Sequence, residues 1–263
     1  MLLFVKLGGS LITDKSRSHT FQKETMQRLA AEIQTARKQL PELRLVLGHG
    51  SGSFGHIPAA KYHTRDGVHT QQEWAGFLEV WREARSLNDL VMESLHAVNI
   101  PAIPFSPVAS VISVNHQIQK WDIDPIQQAL QNGLVPVVYG DVIFDGSTGG
   151  TIFSTEELFE YLALSLKPSR ILLAGIEKGI YKDFPDTSEI IPEIRVDQFE
   201  EFKKHLSGSV NTDVTGGMLE KAAKMLDLIK KISPLEVIIF SGAEPGILQQ
   251  ALLGANPGTR LLM

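Results

Sequence analysis

The sequence predicts an α/β fold built around a largely parallel β-sheet that carries helices on both faces. Short aliphatic runs alternate along the chain with longer segments of helical periodicity, and this alternation is typical of βαβ connections. Several of the aliphatic runs end in glycine, so we expect their carboxyl ends to meet along one edge of the sheet. The 263 residues are enough to bury a sizeable core, in one large domain or in two lobes.

The composition is that of an ordinary globular protein, and it excludes several classes of function. Hydrophobic residues make up 43% of the chain and charged residues 21%, and the formal net charge is −5. A negative chain is a poor partner for nucleic acids or anionic membranes, so any phosphate site needs positive charge that is placed locally. The absence of cysteine excludes disulfides, thiolate catalysis and cysteine-ligated zinc.

Six short aliphatic runs predict the strands of the sheet, because buried parallel strands are apolar on both faces. They are Leu2–Leu7, Leu43–Leu47, Pro101–Phe105, Leu134–Tyr139, Ile171–Ala174 and Leu235–Ser241. Ser110–Gln119 favours one arm of a hairpin, Asp145–Gly150 a glycine-rich turn, and the residues after Thr259 a short apolar tail. The first run is a strand rather than a signal peptide, and no run approaches the ~18 apolar residues of a membrane span. We therefore expect a soluble, cytoplasmic protein.

Helical spacing of apolar residues predicts helices between these strands. They are Phe21–Leu40, Gln71–Val98, Asp122–Asn132, Ser154–Leu166, Val196–Leu206, Asp213 to about Ile232 and Pro245–Leu253, with a short helix from Ile57 to about Lys61. Ser154 and Glu157 have the spacing of a capping box, which fixes the start of one helix.

The stretch from Gly48 to His56 contains four glycines and two serines directly after a predicted strand. Glycines let the backbone approach a ligand closely and turn its N–H groups inward, and such a concavity before a helix suits an anion. A tight turn between strand and helix would explain one or two of these glycines, but not four. The stretch therefore predicts a phosphate site.

Two further segments have the same character. Lys6 ends the first strand and is followed by Gly8, Gly9 and Ser10, and a lysine in a buried strand is costly unless it is paired or used. The alternative for Lys6 is a side chain that reaches solvent from an edge strand. The segment Asp213–Met218 opens a helix with two glycines, and Lys221 lies one turn after Gly217. Its alternative is a flexible hinge with a surface lysine.

The strand order predicts where these segments meet. Gly8–Ser10, Gly48–His56, Gly140-Asp141 and Gly175–Gly179 all follow predicted strands. Ligands of parallel α/β sheets bind outside the carboxyl ends of the strands. We therefore expect these four loops to face one crevice.

Taken together, these motifs resemble the amino acid kinase superfamily. Within it, the histidine-ended glycine stretch and the segment Asp213–Met218 most resemble isopentenyl phosphate kinases, with fosfomycin kinases close behind. The resemblance covers nearly the whole chain and implies an open αβα sandwich of one domain, residues 1–263. It also implies an acceptor-binding lobe (residues 1–167), a nucleotide-binding lobe (residues 168–263) and a homodimer. The implied activity is the phosphorylation of isopentenyl phosphate to the diphosphate by ATP and Mg²⁺.

The resemblance also implies roles for individual residues. The lysines that would contact the phosphates undergoing transfer are Lys6, Lys15 and Lys221, and His56 would hold the acceptor phosphate through a hydrogen bond. The residues implied for ATP are Lys6, Leu7, Gly8, Gly9, Ser10, Gly52, Gly175, Gly217 and Lys221. Those implied for the acceptor are Ser51, Gly55, His56 and Thr155, and we expect Phe77, Trp81 and Ile152 to line the isopentenyl pocket. No metal ligand is predicted, because magnesium in such sites is held largely by nucleotide phosphates and water.

The chain departs from the superfamily pattern at two places. It has Ser154-Thr155-Glu156-Glu157 where relatives usually have Ser-Gly-Asp-Asp, so a glycine is missing and an aspartate thought to order the lysines is replaced. The longer arm of Glu156 reaches the same lysines, or the loop has shifted. The chain also has Gly175-Ile176-Glu177-Lys178-Gly179 where relatives have Thr-Asp-Val-Asp-Gly, which affects the nucleotide site.

Two alternative functions remain open at this point. A fosfomycin-type or other small phosphate or phosphonate kinase would share the loop that ends in His56. A non-catalytic nucleotide-binding member of the superfamily would fit the two departures. The presence of Lys6, Lys15, His56 and Lys221 argues against a loss of activity.

Overall fold

The computed structural model describes residues 1–14, 16–182, 188–206 and 214–263, so that Lys15 and Asp213 lie outside the described residues. The strands are β1 (Leu2–Leu7), β2 (Arg44–His49), β3 (Ala102–Pro104), β4 (Val111–Val114), β5 (Gln117–Trp121), β6 (Val135–Tyr139), β7 (Asp141–Asp145), β8 (Gly149–Phe153), β9 (Arg170–Gly175), β10 (Glu193–Arg195), β11 (Glu236–Ser241) and β12 (Thr259–Leu262). The helices are α1 (Gly9–Ile12), α2 (Lys23–Gln39), α3 (Gly52–Tyr62), α4 (Gln71–Ala97), α5 (Asp124–Gln131), α6 (Thr155–Leu166), α7 (Phe199–Leu206), α8 (Val214–Lys231) and α9 (Ile247–Leu252).

The central sheet has eight strands in the order β10-β12-β11-β9-β1-β2-β6-β3. Its neighbouring strands pair in parallel, apart from β11 and β12, which are antiparallel. The prediction of a largely parallel α/β sheet is therefore confirmed. The C-terminal residues, expected to form only an apolar tail, instead form β12 between β11 and β10. The tail is too short to show a period of its own, whereas pairing on both sides fixes it as a strand.

The structure also contains a second sheet of four strands, in the order β5-β4-β7-β8, most of which the sequence did not predict. It is made of two hairpins, β4–β5 and β7–β8, where a single hairpin arm and a glycine-rich turn were expected. One carboxylate joins the two hairpin turns, because Asp145 accepts hydrogen bonds from the backbone N–H groups of His116 and Ser147, each at 2.9 Å. The contact between His116 and Asp145 joins residues 29 positions apart, so local patterns do not show it.

The side chains of β1 alternate between two cores, one on each face of the sheet. Leu3 and Val5 belong to the core formed with α2, α4 and α9. Phe4 belongs to the opposite core, formed with α5, α6 and α8, where its ring lies 5.0 Å from that of Phe159 on α6. The same alternation puts Lys6 on the Phe4 face, toward the start of α6. The helices therefore lie on both faces of the sheet, as in an αβα sandwich.

Two helix starts matter for the site. A complete capping box at Ser154 and Glu157 begins α6, which confirms the prediction for that helix. The helix α3 begins at Gly52, inside the glycine-rich stretch and five residues before its predicted start. Glycine has a low helix propensity, so the sequence predicts that α3 starts only after the glycine-rich stretch. Among the helices of the described residues, none combines the length and the apolar character that a membrane crossing requires.

We predict that the contact between α6 and β1 contributes strongly to stability. Phe159 is fully buried, so Phe159→Ala should lower the free energy of unfolding by about 3–5 kcal/mol through lost burial and a cavity. Leu164 lies on the same helix with 46% of its surface exposed, so Leu164→Ala should change it by less than about 0.5 kcal/mol. Urea unfolding of both variants measures the difference, and equal midpoints would contradict the assigned packing.

Candidate active site

The carboxyl ends of the parallel strands border one crevice of about 980 Å³. Its lining includes residues of all four loops that follow β1, β2, β6 and β9, together with the first turns of α8. The loops therefore face one crevice, as the strand order predicts. Of the predicted site residues in the described ranges, the lining includes Lys6, Gly8, Gly9, Ser10, Ser51, Gly52, Gly55, His56, Ile152, Thr155, Gly175, Gly217 and Lys221.

The loops after β1 and β2 touch backbone to backbone, which explains their glycines. A Cβ atom on Gly9 would lie 2.5 Å from the backbone nitrogen of Gly52, a distance that no folded chain tolerates. Gly52 itself has a φ of +49°, a left-handed conformation that favours glycine. Thr13 joins the two loops, because its hydroxyl donates to the carbonyl oxygen of Gly9 at 2.7 Å and accepts from the N–H of Ser53 at 3.0 Å. The glycines thus bring two sets of backbone donors to one place.

One carboxylate connects the two predicted lysines of the described ranges. Glu156, in the first turn of α6, forms an ion pair with Lys6 at the end of β1. The same oxygen, Oε1, lies 3.2 Å from Nζ of Lys221 on α8. Glu156 therefore contacts both lysines. Of the two alternatives left open for the replaced aspartate, the structure has the first, in which the longer side chain of Glu156 reaches the lysines.

The charge of Glu156 is secured by these lysines. Burial by itself would raise the pKa of the carboxyl, but the positive charges of Lys6 and Lys221 outweigh burial and lower the pKa to about 2. The position at a helix N-terminus also favours a negative charge. At neutral pH the carboxylate is ionised and holds both ammonium groups in place. The sequence left two alternatives open for Glu156, a reach to the same lysines or a shifted loop, so it was not among the predicted site residues.

The neighbouring residue Thr155 fixes the start of α6 against β2. Its hydroxyl donates to the carbonyl oxygen of His49 at 2.6 Å, and the side chain is buried. A Cβ atom on Gly48 would lie 2.5 Å from the Thr155 methyl carbon, so the first glycine of the stretch serves this contact. Thr155 thus lines the crevice, but its hydroxyl is hydrogen-bonded to the backbone of β2.

Among the predicted site residues that the structure describes, three do not line the crevice. Phe77 is buried under Gly150 with Val80 and Val142, and Trp81 borders a separate shallow groove on the outer side of α4. Val80, one turn after Phe77 on the same face of α4, lines the crevice in their place, whereas Phe77 is covered by Gly150. The side chain of Leu7 lies in the core, and its carbonyl oxygen accepts from the N–H of Gly50 at 3.1 Å.

A buried carboxyl group also borders the crevice at the end of β6. Burial raises the pKa of Asp141 to about 7, although the carboxylate accepts hydrogen bonds from the backbone N–H of Val142 and from the hydroxyl of Ser106. Tyr139 extends this network, since its hydroxyl donates to that of Ser106 at 3.2 Å. These groups tie the loop after β6 to the segment before β4 and so fix one wall of the crevice.

The residues that the structure describes contain no group of three or more histidine, aspartate or glutamate side chains able to hold a metal ion. The crevice is instead lined by glycine loops and by cationic side chains, among them Lys6, Arg65 and Lys221. Such a set binds anions, above all phosphates. The arrangement can bring two phosphorylated molecules together and neutralise the charge between them.

Comparison with known proteins agrees with this chemistry. The amino acid kinase family matches residues 1–241 of the chain. Isopentenyl phosphate kinases of Methanocaldococcus jannaschii and Methanothermobacter thermautotrophicus are each 34% identical to it, over 99% of this chain and 98% of theirs. An X-ray structure of an isopentenyl phosphate kinase is similar with a TM-score of 0.83 at 29% identity, and the match covers 99% of this chain and 100% of that one.

We predict that Glu156→Gln slows turnover while the fold is kept. The amide has the size of the carboxylate but no charge to hold the two lysines, so kcat should fall by at least about tenfold. Glu160→Gln, one turn further along α6 and outside the crevice lining, should leave kcat unchanged. Steady-state kinetics of both variants test this prediction, and a wild-type kcat for Glu156→Gln would refute the role of the ion pair.

Glu160 also gives a pH-dependence of stability. Burial raises its pKa to about 7, and its Oε1 has no hydrogen-bond partner within the described residues. The folded protein therefore binds more protons than the unfolded chain between the ordinary value near 4.5 and about 7, so stability falls as the pH rises through this window. Asp141, whose pKa is also raised to about 7, gives a fall of the same sign, so Glu160→Gln should reduce the total fall rather than abolish it. Urea midpoints at pH 5 and pH 8 measure it, and an unchanged difference between the two pH values would contradict the burial argument.

Proposed function

The chain belongs to the amino acid kinase family and, within it, to the isopentenyl phosphate kinases, and on that basis we propose that it transfers the terminal phosphoryl group of ATP to isopentenyl phosphate. The products are isopentenyl diphosphate and ADP. The observation that carries the proposal is the pairing of Lys6 and Lys221 through Glu156 between two glycine loops. A phosphotransferase with a phosphate acceptor needs such a placement of cations in an otherwise negative chain.

The reaction is limited by the repulsion between two phosphate groups. Each pair of unit charges 4 Å apart repels by about 4 kcal/mol at an effective dielectric constant of 20. An oxygen of the acceptor phosphate attacks the γ-phosphorus, the bond from that phosphorus to the bridging oxygen breaks, and ADP leaves with the electron pair. The ammonium groups of Lys6 and Lys221 neutralise the oxygens of the transferred group, and Glu156 keeps them in position before the substrates bind.

The donor fits the side of the crevice formed by β1, β9 and α8. Gly8, Gly9, Ser10, Gly52 and Gly217 line this side, and backbone N–H groups of the last four are the proposed donors for the phosphates, because the N–H of Gly8 donates to the carbonyl oxygen of Ala174 at 2.7 Å. We assign residues 168–263 to a nucleotide-binding lobe, in which Gly175 borders the nucleotide, and residues 1–167 to an acceptor-binding lobe. Mg²⁺ would accompany ATP, held by phosphate oxygens and water, and would supply further neutralisation of their charge. Lys15 keeps its assigned role at the transferred phosphate, although it lies outside the described residues.

The acceptor fits the side formed by α3, α4 and β8. His56 stands in the first turn of α3 with Ser51 and Gly55 beside it, where an imidazole N–H and a helix N-terminus suit the acceptor phosphate. Val80 and Ile152 give this side its apolar lining for the isopentenyl chain. A phosphonate such as fosfomycin would use the same histidine, but the curated relatives favour isopentenyl phosphate.

We also propose a homodimer in the cytoplasm, as the family resemblance implies. Large apolar side chains are exposed on α4 and β7, among them Leu78 at 43% and Phe144 at 51%, and a second copy of the chain would cover such a face. Light scattering after size-exclusion chromatography tests the dimer, and a mass of 29.0 kDa would exclude it.

The assay that tests the function is ADP release in the presence of Mg-ATP with a panel of acceptors. The panel consists of isopentenyl phosphate, dimethylallyl phosphate, fosfomycin and alkyl phosphates of increasing length. We expect isopentenyl phosphate to be turned over with a kcat/KM above about 10⁴ M⁻¹s⁻¹. Preference for fosfomycin would reassign the acceptor, and ATP binding without turnover of any acceptor would indicate a non-catalytic member.

We predict that His56→Ala raises the KM for isopentenyl phosphate or abolishes turnover while ATP still binds. The substitution removes the side-chain hydrogen bond to the acceptor phosphate and leaves the donor side intact. His69→Ala is the matched control, because His69 is exposed and does not line the crevice. Loss of ATP binding with an unchanged KM for the acceptor would overturn the assignment of His56.

A further inference from the structure

A second ion cluster lies beside the first at the start of α6. Oε1 of Glu157 is 2.8 Å from Nη2 of Arg65, 3.2 Å from Nε2 of His116 and 3.8 Å from Nζ of Lys224. These three partners come from the loop before α4, the turn between β4 and β5, and α8. The function described above uses none of them.

The carboxylate of Glu157 is fixed and charged. Its other oxygen, Oε2, accepts the backbone N–H of Ser154 at 2.7 Å and so closes the capping box of α6. Burial raises the pKa of Glu157, but that backbone N–H and the charge of Arg65 outweigh burial and lower it overall. Oε1 therefore presents a negative charge at a defined point on the rim of the crevice.

The proton on the imidazole of His116 can be placed from its neighbours. The hydroxyl of Thr151 donates to the carbonyl oxygen of Arg65 at 2.9 Å, because a carbonyl can only accept. The Thr151 oxygen then accepts from Nδ1 of His116, also at 2.9 Å, so Nδ1 carries a proton. Nε2 lies 3.3 Å from Nη2 of Arg65 and 3.2 Å from Oε1 of Glu157, and in the neutral ring it accepts from Arg65, since the carboxylate has no proton to donate. Arg65 is thus fixed at its backbone and at its guanidinium.

The guanidinium of Arg65 retains donors for a ligand. Among the described residues its side-chain contacts are both made by Nη2, so Nη1 and Nε remain for other partners. Half of the side chain is exposed, and the residue lines the crevice. Planar guanidinium groups bind phosphate oxygens through two parallel hydrogen bonds.

Cations outnumber carboxylates in the ion pairs at the start of α6, where Glu156 and Glu157 contact Lys6, Lys221, Arg65 and Lys224. Two further carboxyl groups offset part of this surplus, because Lys224 also acts on Glu160, and Asp66 follows Arg65 in the crevice lining. The remaining positive charge is local, in a chain of net charge −5. Such a local surplus is stabilised when an anion binds.

We infer that Arg65 is a further phosphate-binding residue on the acceptor side of the crevice, and that Glu157 and His116 are positioning residues that hold its guanidinium. This inference rests on the proposed function. Two observations put Arg65 on the acceptor side. It follows α3, the helix that carries His56. Its carbonyl oxygen also accepts a hydrogen bond from Thr151, which is next to Ile152 in the crevice lining. The diphosphate product carries more charge than the acceptor and gains most from Arg65.

Calorimetric binding of isopentenyl diphosphate and of inorganic pyrophosphate to the full chain tests this inference. Arg65→Gln should weaken the binding of both by about 10- to 100-fold, because it removes a charge-assisted hydrogen bond. Arg65→Lys should restore part of the loss. Arg85→Gln is the matched control, because Arg85 pairs with Asp89 at 3.9 Å on the outer side of α4, and it should bind like the wild type.

The possible outcomes separate the inference from the proposed function. Equal affinities of Arg65→Gln and Arg85→Gln for pyrophosphate would overturn the inference. It would also be overturned if Arg65→Gln and Arg65→Lys lost the same affinity and both melted at a lower temperature than the wild type, because the loss would then come from a damaged fold. The wild type could fail to phosphorylate isopentenyl phosphate and still bind pyrophosphate. If Arg65→Gln then fails to bind pyrophosphate, the assignment of the acceptor is wrong but the role of Arg65 in binding phosphate stands.

The positioning role of His116 has its own readout. His116→Ala removes the imidazole nitrogen that lies 3.3 Å from Nη2 of Arg65, so it should weaken pyrophosphate binding severalfold while the melting temperature stays at the wild-type value. In the Arg65→Gln background the same substitution should have no further effect, because the guanidinium that it positions is gone. An equal loss of affinity in both backgrounds would refute the role.

Discussion

The active site depends on one ion pair with two partners, in which Glu156 holds Lys6 and Lys221. Three distant elements must meet for it to form: the end of β1, the first turn of α6 and one face of α8. Packing of the core brings them together, because Phe159 of α6 rests on Phe4 of β1. Lys6 follows Phe4 by two residues and so points to the same face of the sheet. The hydrophobic core and the electrostatics of the site are therefore set by the same contact.

Three carboxylates in the first two turns of α6 behave differently because their partners differ. Two lysines lower the pKa of Glu156 to about 2, whereas burial outweighs the charge of Lys224 and raises that of Glu160 to about 7. Burial also acts on Glu157, but the backbone N–H of Ser154 and the charge of Arg65 outweigh it and lower the pKa. A charge in a buried site is retained only where partners offset the loss of water. In this protein they do so at Glu156, which lines the crevice, and at Glu157 beside it.

Much of the fold and part of the site could be predicted from the sequence. Periodicity locates the long helices and the buried parallel strands, and glycines at strand ends predict a common crevice. The sequence also contains Lys6, His56 and Lys221 within recognisable motifs. What it does not contain is the direction of individual side chains, so Phe77 and Trp81 were expected in a pocket that Val80 lines instead.

The features that were missed depend on contacts between distant residues. The short strands β7, β8 and β12 gain their stability from pairing rather than from a pattern of their own. Arg65 and Glu157 are 92 positions apart, and no local sequence pattern around either residue predicts their ion pair. The role of Glu156 was undecided for the same reason, since its reach to two lysines is a property of the folded chain.

The central claim is that both lysines are held by an ionised Glu156, and the ¹³C carboxyl resonance of this residue tests it most directly. The Glu156→Gln variant identifies the resonance, which is then followed from pH 7 downward over the range in which the protein remains folded. We expect no titration above about pH 3, because the pKa is lowered to about 2. A midpoint near the ordinary value of 4.5 would show that the lysines do not hold the carboxylate, and would contradict the account.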